Sequence, residues 1–213
     1  MKIDALVIAG GPAGDKLKDC SEVAKEALIP IGSKVMVEYV VDALEKAASI
    51  NKIIVVGPVK ELTKIFQNQP RILLAPEGGS AIDSVLNGVE VLKPDGKVLI
   101  LTADIPLVTS ASIEGFLEKC QEHEIDLFYP IVPKEANEEK FPQVKRTYVT
   151  LREGVFTGGN LFLVNPAIIR ASAEKGKQLV KLRKSPLALS SLIGWRFILK
   201  LVTKRLTISE VEG

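Results

Sequence analysis

The runs IDALVIAGG (residues 3–11), KIIVVGP (52–58), RILLAP (71–76) and KVLILTADIP (97–106) are apolar at nearly every interior position. A strand with one wet face alternates apolar and polar residues. A strand without that alternation is buried on both faces, as in a parallel sheet covered by helices. The segments between these runs carry helical spacing. Met36, Val40, Ala43, Leu44 and Ala47 share one face, as do Ile82, Val85, Leu86 and Val89, and again Ile113, Phe116, Leu117 and Cys120. Residues 59–67 read as a short helix, and IDLFYPIV (125–132) as a fifth strand. Alternating strand and helix over the first 130 residues predicts an α/β fold with a doubly wound, mostly parallel sheet and flanking helices.

After Pro133 the pattern changes. PKEANEEKFPQVKR is polar and proline-bearing, which predicts a lid or β excursion near 133–160. TYVTLREG and GGNLFLV read as short strands around turns, and from Pro166 the chain turns helical. The whole of 1–213 is expected to be a single domain. The ending LTISEVEG is a helix start without a helix, so the natural protein is expected to continue past Gly213.

With 28 basic and 26 acidic residues the net charge is +2, too balanced for a nucleic-acid binder by charge. Cys20 and Cys120 lack metal-ligand spacing and read as free thiols. His123 is the only histidine, which excludes a His-rich metal site. No secretory signal precedes the first strand, and a cytoplasmic protein is the expectation. The basic apolar stretch around Trp195, Arg196, Lys200, Lys204 and Arg205 reads as a core helix or a homodimer contact rather than a membrane-surface helix.

The first strand ends in a glycine loop, Ala9-Gly10-Gly11-Pro12-Ala13-Gly14, followed by Lys16. Its glycine spacing fails the dinucleotide fingerprint, and it fails the P-loop. It resembles the signature of the MobA-like nucleotidyltransferases, roughly L-x-A-G-G-x-G-x-R-M, on the glycosyltransferase-A type fold. Lys16 stands where that signature has arginine, and the loop is one residue longer. ALIPIGSKVMVEYVVDAL is similar to the family stretch A-L-x-P-x-x-G-K-P-M-x-E-Y-x-x-x-A-L. LTADIPLV and TGGNLFLVNP resemble its metal-binding and acceptor-side motifs.

The resemblance implies an Mg2+-dependent transfer of NMP from an NTP to a small phosphorylated acceptor, releasing pyrophosphate. An anionic acceptor needs no general base, so catalysis is positioning plus charge neutralisation. Ala9, Gly10, Gly11, Pro12, Ala13 and Gly14 would hold the triphosphate, with N–H groups of Gly10, Gly11 and Ala13 donating and Lys16 neutralising it. Asp104 ends an apolar strand and would hold Mg2+; a cap or loop hydrogen bond is its other reading. Ala75, Pro76, Gly78, Gly79 and Ser80 would line the base, although Ser80 also suits a helix N-cap. Arg146, Thr147, Tyr148, Gly158, Gly159 and Asn160 would face the acceptor. The glycine pair also suits a hairpin turn, and Arg146 a solvated lid charge.

Two departures stand out. Where sugar-phosphate members carry a phosphate-touching lysine, this chain has Glu26, with Lys25 one place away. No Asp follows Asp126, so a second metal ligand is not evident, Asn165 being the available side chain at a strand-to-helix turn. An NDP-sugar glycosyltransferase and a non-catalytic nucleotide-binding relative are the alternatives. The first usually has a D-x-D motif, and TADIP holds one acid.

Overall fold

The computed structural model describes residues 2–14, 23–182, 199–201 and 203–212. The described parts of Met1–Phe128 and Asn160–Ala173 form one compact unit, and those of Tyr129–Gly159 and Glu174–Gly213 a second.

The first unit contains β1 (Ile3–Ile8), a 3-10 turn (Glu26–Leu28) and a small hairpin, β2 (Pro30–Ile31) with β3 (Lys34–Val35). There follow α1 (Met36–Glu45), β4 (Ile50–Gly57), α2 (Val59–Phe66), β5 (Ile72–Pro76), α3 (Ala81–Leu92), β6 (Val98–Thr102), α4 (Ser110–Cys120) and β7 (Leu127–Phe128). The unit takes back β11 (Leu161–Val164) and the start of α6 (Pro166–Leu182). Its six-stranded sheet has the order β5-β4-β1-β6-β11-β7. β5, β4, β1 and β6 are parallel, while β11 runs antiparallel to both β6 and β7.

The unbroken apolar runs are explained by packing on both faces. Along β1, Ala5 and Val7 join α1 and α4 residues such as Val40, Leu44 and Ile113 on one side. Leu6 points the other way, into a core with Val85, Val89 and Leu92 of α3. Gly88 is the point of closest approach there. A Cβ at Gly88 would lie 2.5 Å from Leu6 Cδ1 and 2.7 Å from Val56 Cγ2, both on fully buried side chains. The chain leaves β1 toward β4 and β5 on one side and returns to β6 on the other. The β1/β6 boundary is therefore the switch point, where a crevice opens beyond the strands' carboxyl ends.

The second unit holds β8 (Ile131–Pro133), α5 (Lys134–Lys140), β9 (Val149–Leu151) and β10 (Gly154–Gly158), with the short α7 (Ile208–Glu212). Its sheet is antiparallel, in the order β8-β10-β9. Leu206 is buried in it and its carbonyl accepts from the Arg152 N–H at 2.9 Å. The expected fifth strand, IDLFYPIV, is not one strand. It divides into β7 of the large sheet and β8 of the small one. Pro130 lies at the break and has no N–H to continue a ladder.

Cys120 is a buried free thiol whose pKa burial raises; Cys20 lies outside the described residues. Among the described residues, no helix is long and apolar enough to cross a membrane. Of the basic C-terminal stretch, Trp195 and Arg196 lie outside the described residues, and Lys200 is ion-paired with Glu210.

Substituting Gly88→Val pushes two methyl groups into a filled space. It is expected to destabilise the protein by about 2 kcal/mol, read as a lowered urea midpoint with an unchanged m-value.

Candidate functional site

Beyond the carboxyl ends of β1 and β6 lies a cleft of about 140 Å3, lined by Ile8, Ala9, Gly11, Glu26, Ala27, Thr102, Ala103 and Asp104. Its floor is fixed by the backbone. The Ala9 N–H donates to Val56 O at 2.7 Å, and the Ala103 N–H to Ile8 O at 3.0 Å. The strand ends thus stay paired to the point where they stop being sheet.

Asp104 stands on the β6 side of the cleft and is exposed. Its Oδ1 accepts hydrogen bonds from the Thr102 hydroxyl and, at 3.1 Å, from Asn160 Nδ2. The Asn160 carbonyl also accepts from the Thr102 N–H at 3.1 Å. The structure therefore brings together the expected metal residue and one expected acceptor residue, 56 positions apart in the chain. The loop-hydrogen-bond reading of Asp104 is fulfilled at Oδ1. Oδ2 takes no hydrogen bond among the described residues.

The glycine loop folds back on the segment before the 3-10 turn. The Ala13 N–H donates to Ala24 O at 3.0 Å, Pro12 forms a bridge with Lys25, and Gly11 O accepts from the Glu26 N–H at 3.2 Å. This corrects one expectation. Ala13 is buried and its N–H is engaged by the loop itself, and Pro12 has none to offer. The N–H groups of Gly10 and Gly11 make no hydrogen bond among the described residues, and Gly11 lines the cleft. Lys16 lies outside the described residues.

Lys25 closes the loop. Its Nζ donates to Gly10 O at 2.8 Å and pairs with both carboxylate oxygens of Glu77, at 2.6 and 2.7 Å. The ends of β1 and β5 are thereby joined through one half-buried cation. Gly10 is required beside this pair, because a Cβ there would lie 2.2 Å from Glu77 Oε2. Neither Lys25 nor Glu77 was assignable from sequence patterns. The only signal was an acid directly after the third apolar run, in PEGGS.

Glu26 faces the cleft with Asp104. Burial pushes its carboxyl above the ordinary 4.5, and the Asp104 charge pushes it the same way.

Of the expected base-lining residues, Ser80 is the N-cap of α3, its Oγ accepting from the Asp83 N–H at 3.1 Å. Gly78 makes the preceding turn, its N–H donating to Ser84 Oγ at 2.9 Å, and a Cβ there would lie 2.3 Å from Asp83 Cβ. Pro76 O accepts from Asn87 Nδ2 at 3.0 Å. A Cβ on Gly79 would have room, lying 3.7 Å from Asp83 Oδ2.

The other expected acceptor residues belong to the second unit. There Arg146 Nη2 donates to Gly158 O at 2.7 Å, Thr147 is exposed, and the Tyr148 hydroxyl accepts from Asn137 Nδ2 at 3.0 Å. Gly158 and Gly159 pass against Tyr129 and Pro130. A Cβ on Gly158 would collide with the Tyr129 hydroxyl, and the Gly159 N–H donates to Pro130 O at 2.9 Å. Asn165 caps α6, accepting from the Ala167 N–H at 3.0 Å and donating to Asp126 Oδ1 at 2.8 Å. Among the described residues, no group of three or more metal-ligating side chains is present. The cleft does offer hard carboxylate oxygens on two sides. That suits Mg2+, which takes one or two carboxylates plus substrate phosphates and water.

A family model, the MobA-like NTP transferase domain, matches residues 5–190. The chain belongs to the MobA-like NTP transferase family. A solved structure described as a hypothetical transferase from Thermus thermophilus is 39% identical, with a TM-score of 0.84 over 100% of this chain and 86% of that one. The bifunctional protein GlmU of Rhizorhabdus wittichii is 31% identical over 121 residues, 55% of this chain. The chain spans 26% of the length of that curated relative. CMP:2-keto-3-deoxy-manno-octonic acid synthetase, solved with CTP, shares the fold: TM-score 0.63 at 13% identity, over 86% of this chain and 85% of that one.

Two outcomes check the site's electrostatics. A double-mutant cycle of Lys25→Met and Glu77→Gln, measured by urea unfolding, is expected to give a coupling energy of about 1 kcal/mol, as for a partly exposed pair. The raised Glu26 pKa means that its charged form lowers stability above the folded-state pKa, and that this loss is absent below 4.5. Glu26→Gln is therefore expected to raise the metal-free Tm near neutral pH and to leave it unchanged below pH 4.5.

Proposed function

We propose that this family member is an Mg2+-dependent nucleotidyltransferase that moves NMP from an NTP to a small phosphorylated acceptor. The acceptor oxygen bonds to the α-phosphorus as the bond to the β-phosphate bridge breaks, and pyrophosphate leaves. One observation carries the reading: the glycine loop and Asp104 line the same cleft, at the switch point of the sheet.

In this reading the N–H groups of Gly10 and Gly11 hold phosphate oxygens, and Lys16 neutralises the departing pyrophosphate. Gly78, Gly79 and Ser80, with Ala75 and Pro76, flank the base with small groups and backbone. Asp104 would hold the ion, its Oδ1 oriented by hydrogen bonds from Thr102 and Asn160. Mg2+, when bound, would offset phosphate charge and lower the repulsion between two anionic reactants. Arg146, Thr147, Tyr148, Gly158 and Gly159 receive the acceptor, so that residues 1–213 serve one transferase domain. A cytoplasmic setting goes with an NTP substrate.

The engagement of Lys25 by Glu77 favours a second reading, a relative that binds nucleotide without transferring it. Pyrophosphate release over a panel of NTPs and phosphorylated acceptors separates the two. The first reading expects release with at least one pair. It also expects Asp104→Asn to lower kcat/KM by about a hundredfold or more. A thermal shift with none of the common NTPs in the presence of Mg2+ would sink both.

A further inference from the structure

We propose that Glu26 is the second carboxylate of the cation site, sharing one divalent ion with Asp104 at the cleft. This rests on the reading of the cleft as a metal-dependent NTP site.

The first ground is position. The root of Glu26 is fixed on the glycine loop: its N–H donates to Gly11 O at 3.2 Å, and its carbonyl accepts from the Ile29 N–H at 3.1 Å, closing the 3-10 turn. Its side chain lines the same cleft as Asp104. The second ground is charge. The neighbouring cation, Lys25, is occupied by Glu77 and the Gly10 carbonyl and does not pair with Glu26. Among the described residues the Glu26 carboxylate has no hydrogen bond and no ion pair, and Asp104 keeps Oδ2 unbonded. Two carboxylates on one cleft repel each other and would repel a triphosphate. A divalent ion between them reverses both effects. The third ground is chemistry, since Mg2+ and Mn2+ accept two carboxylates and leave positions for phosphate oxygens and water. Glu26 thus replaces the direct lysine contact that the family resemblance leads one to expect with a contact made through the metal.

The test uses Mn2+ alone, without nucleotide, titrated into the full chain and followed by loss of the free-ion EPR signal. Wild type is expected to bind, with Glu26→Gln and Asp104→Asn each weakening binding about tenfold and Glu26→Asp retaining more than Glu26→Gln. The Tm of each metal-free variant establishes that it is folded. Wild-type affinity in Glu26→Gln, with loss in Asp104→Asn, overturns the role of Glu26 and leaves the Asp104 site standing. Wild-type affinity in both variants overturns the shared site together with the metal assignment of the functional reading.

Discussion

A strand packed on both faces has no side chain to spare for chemistry, and everything it offers a ligand lies at its end. β1 is such a strand, with Ala5, Leu6 and Val7 wholly buried between two helical layers. Its neighbours impose the rest. Parallel pairing with β4 and β6 puts three strand exits on one edge, and the change of winding direction between β1 and β6 leaves a gap there. The glycine loop, Asp104 and the 3-10 turn are three chain segments that this arrangement delivers to one place.

That geometry also decides how the charges settle. Lys25 and Glu26 are adjacent but have opposite fates. Lys25 is drawn to Glu77 at the end of β5, while Glu26 is left facing Asp104. A half-buried lysine with a carboxylate and a carbonyl as partners is satisfied. A partly buried carboxylate facing another acid is not, and burial first, then the Asp104 charge, raises the Glu26 pKa. Among the described residues, neither cleft carboxylate is paired with a cation.

Much of this was legible in the sequence, for a physical reason. Burial on both faces and helical periodicity are local properties, so β1, β4, β5, β6 and the helices between them could be read from residue order. The acid after VLILTA could be placed just past the end of a buried strand, where Asp104 lies beside the cleft and takes its loop hydrogen bonds. What escaped depends on strand order. Asn160 meets Asp104 because β11 returns antiparallel beside β6, and Glu77 meets Lys25 because β5 and β1 exit on the same edge. No periodicity encodes either pairing. IDLFYPIV misled for the opposite reason: its composition is that of one strand, and a single missing N–H at Pro130 lets the chain pass from one sheet to another. Gly158 and Gly159 are likewise explained by what crosses them, Tyr129 and Pro130.

The Lys25 clamp has a consequence for how this chain can change over time. Gly10 has no room for a side chain while Glu77 occupies its place, and Glu77 is held there by Lys25. Position 10 can accept a side chain only after position 77 has changed, and a change at 77 releases the lysine into the neighbourhood of Glu26. The three positions form an ordered ratchet. Loss of the acid at 77 would free the Lys25 ammonium from its pair without any substitution at position 25 itself.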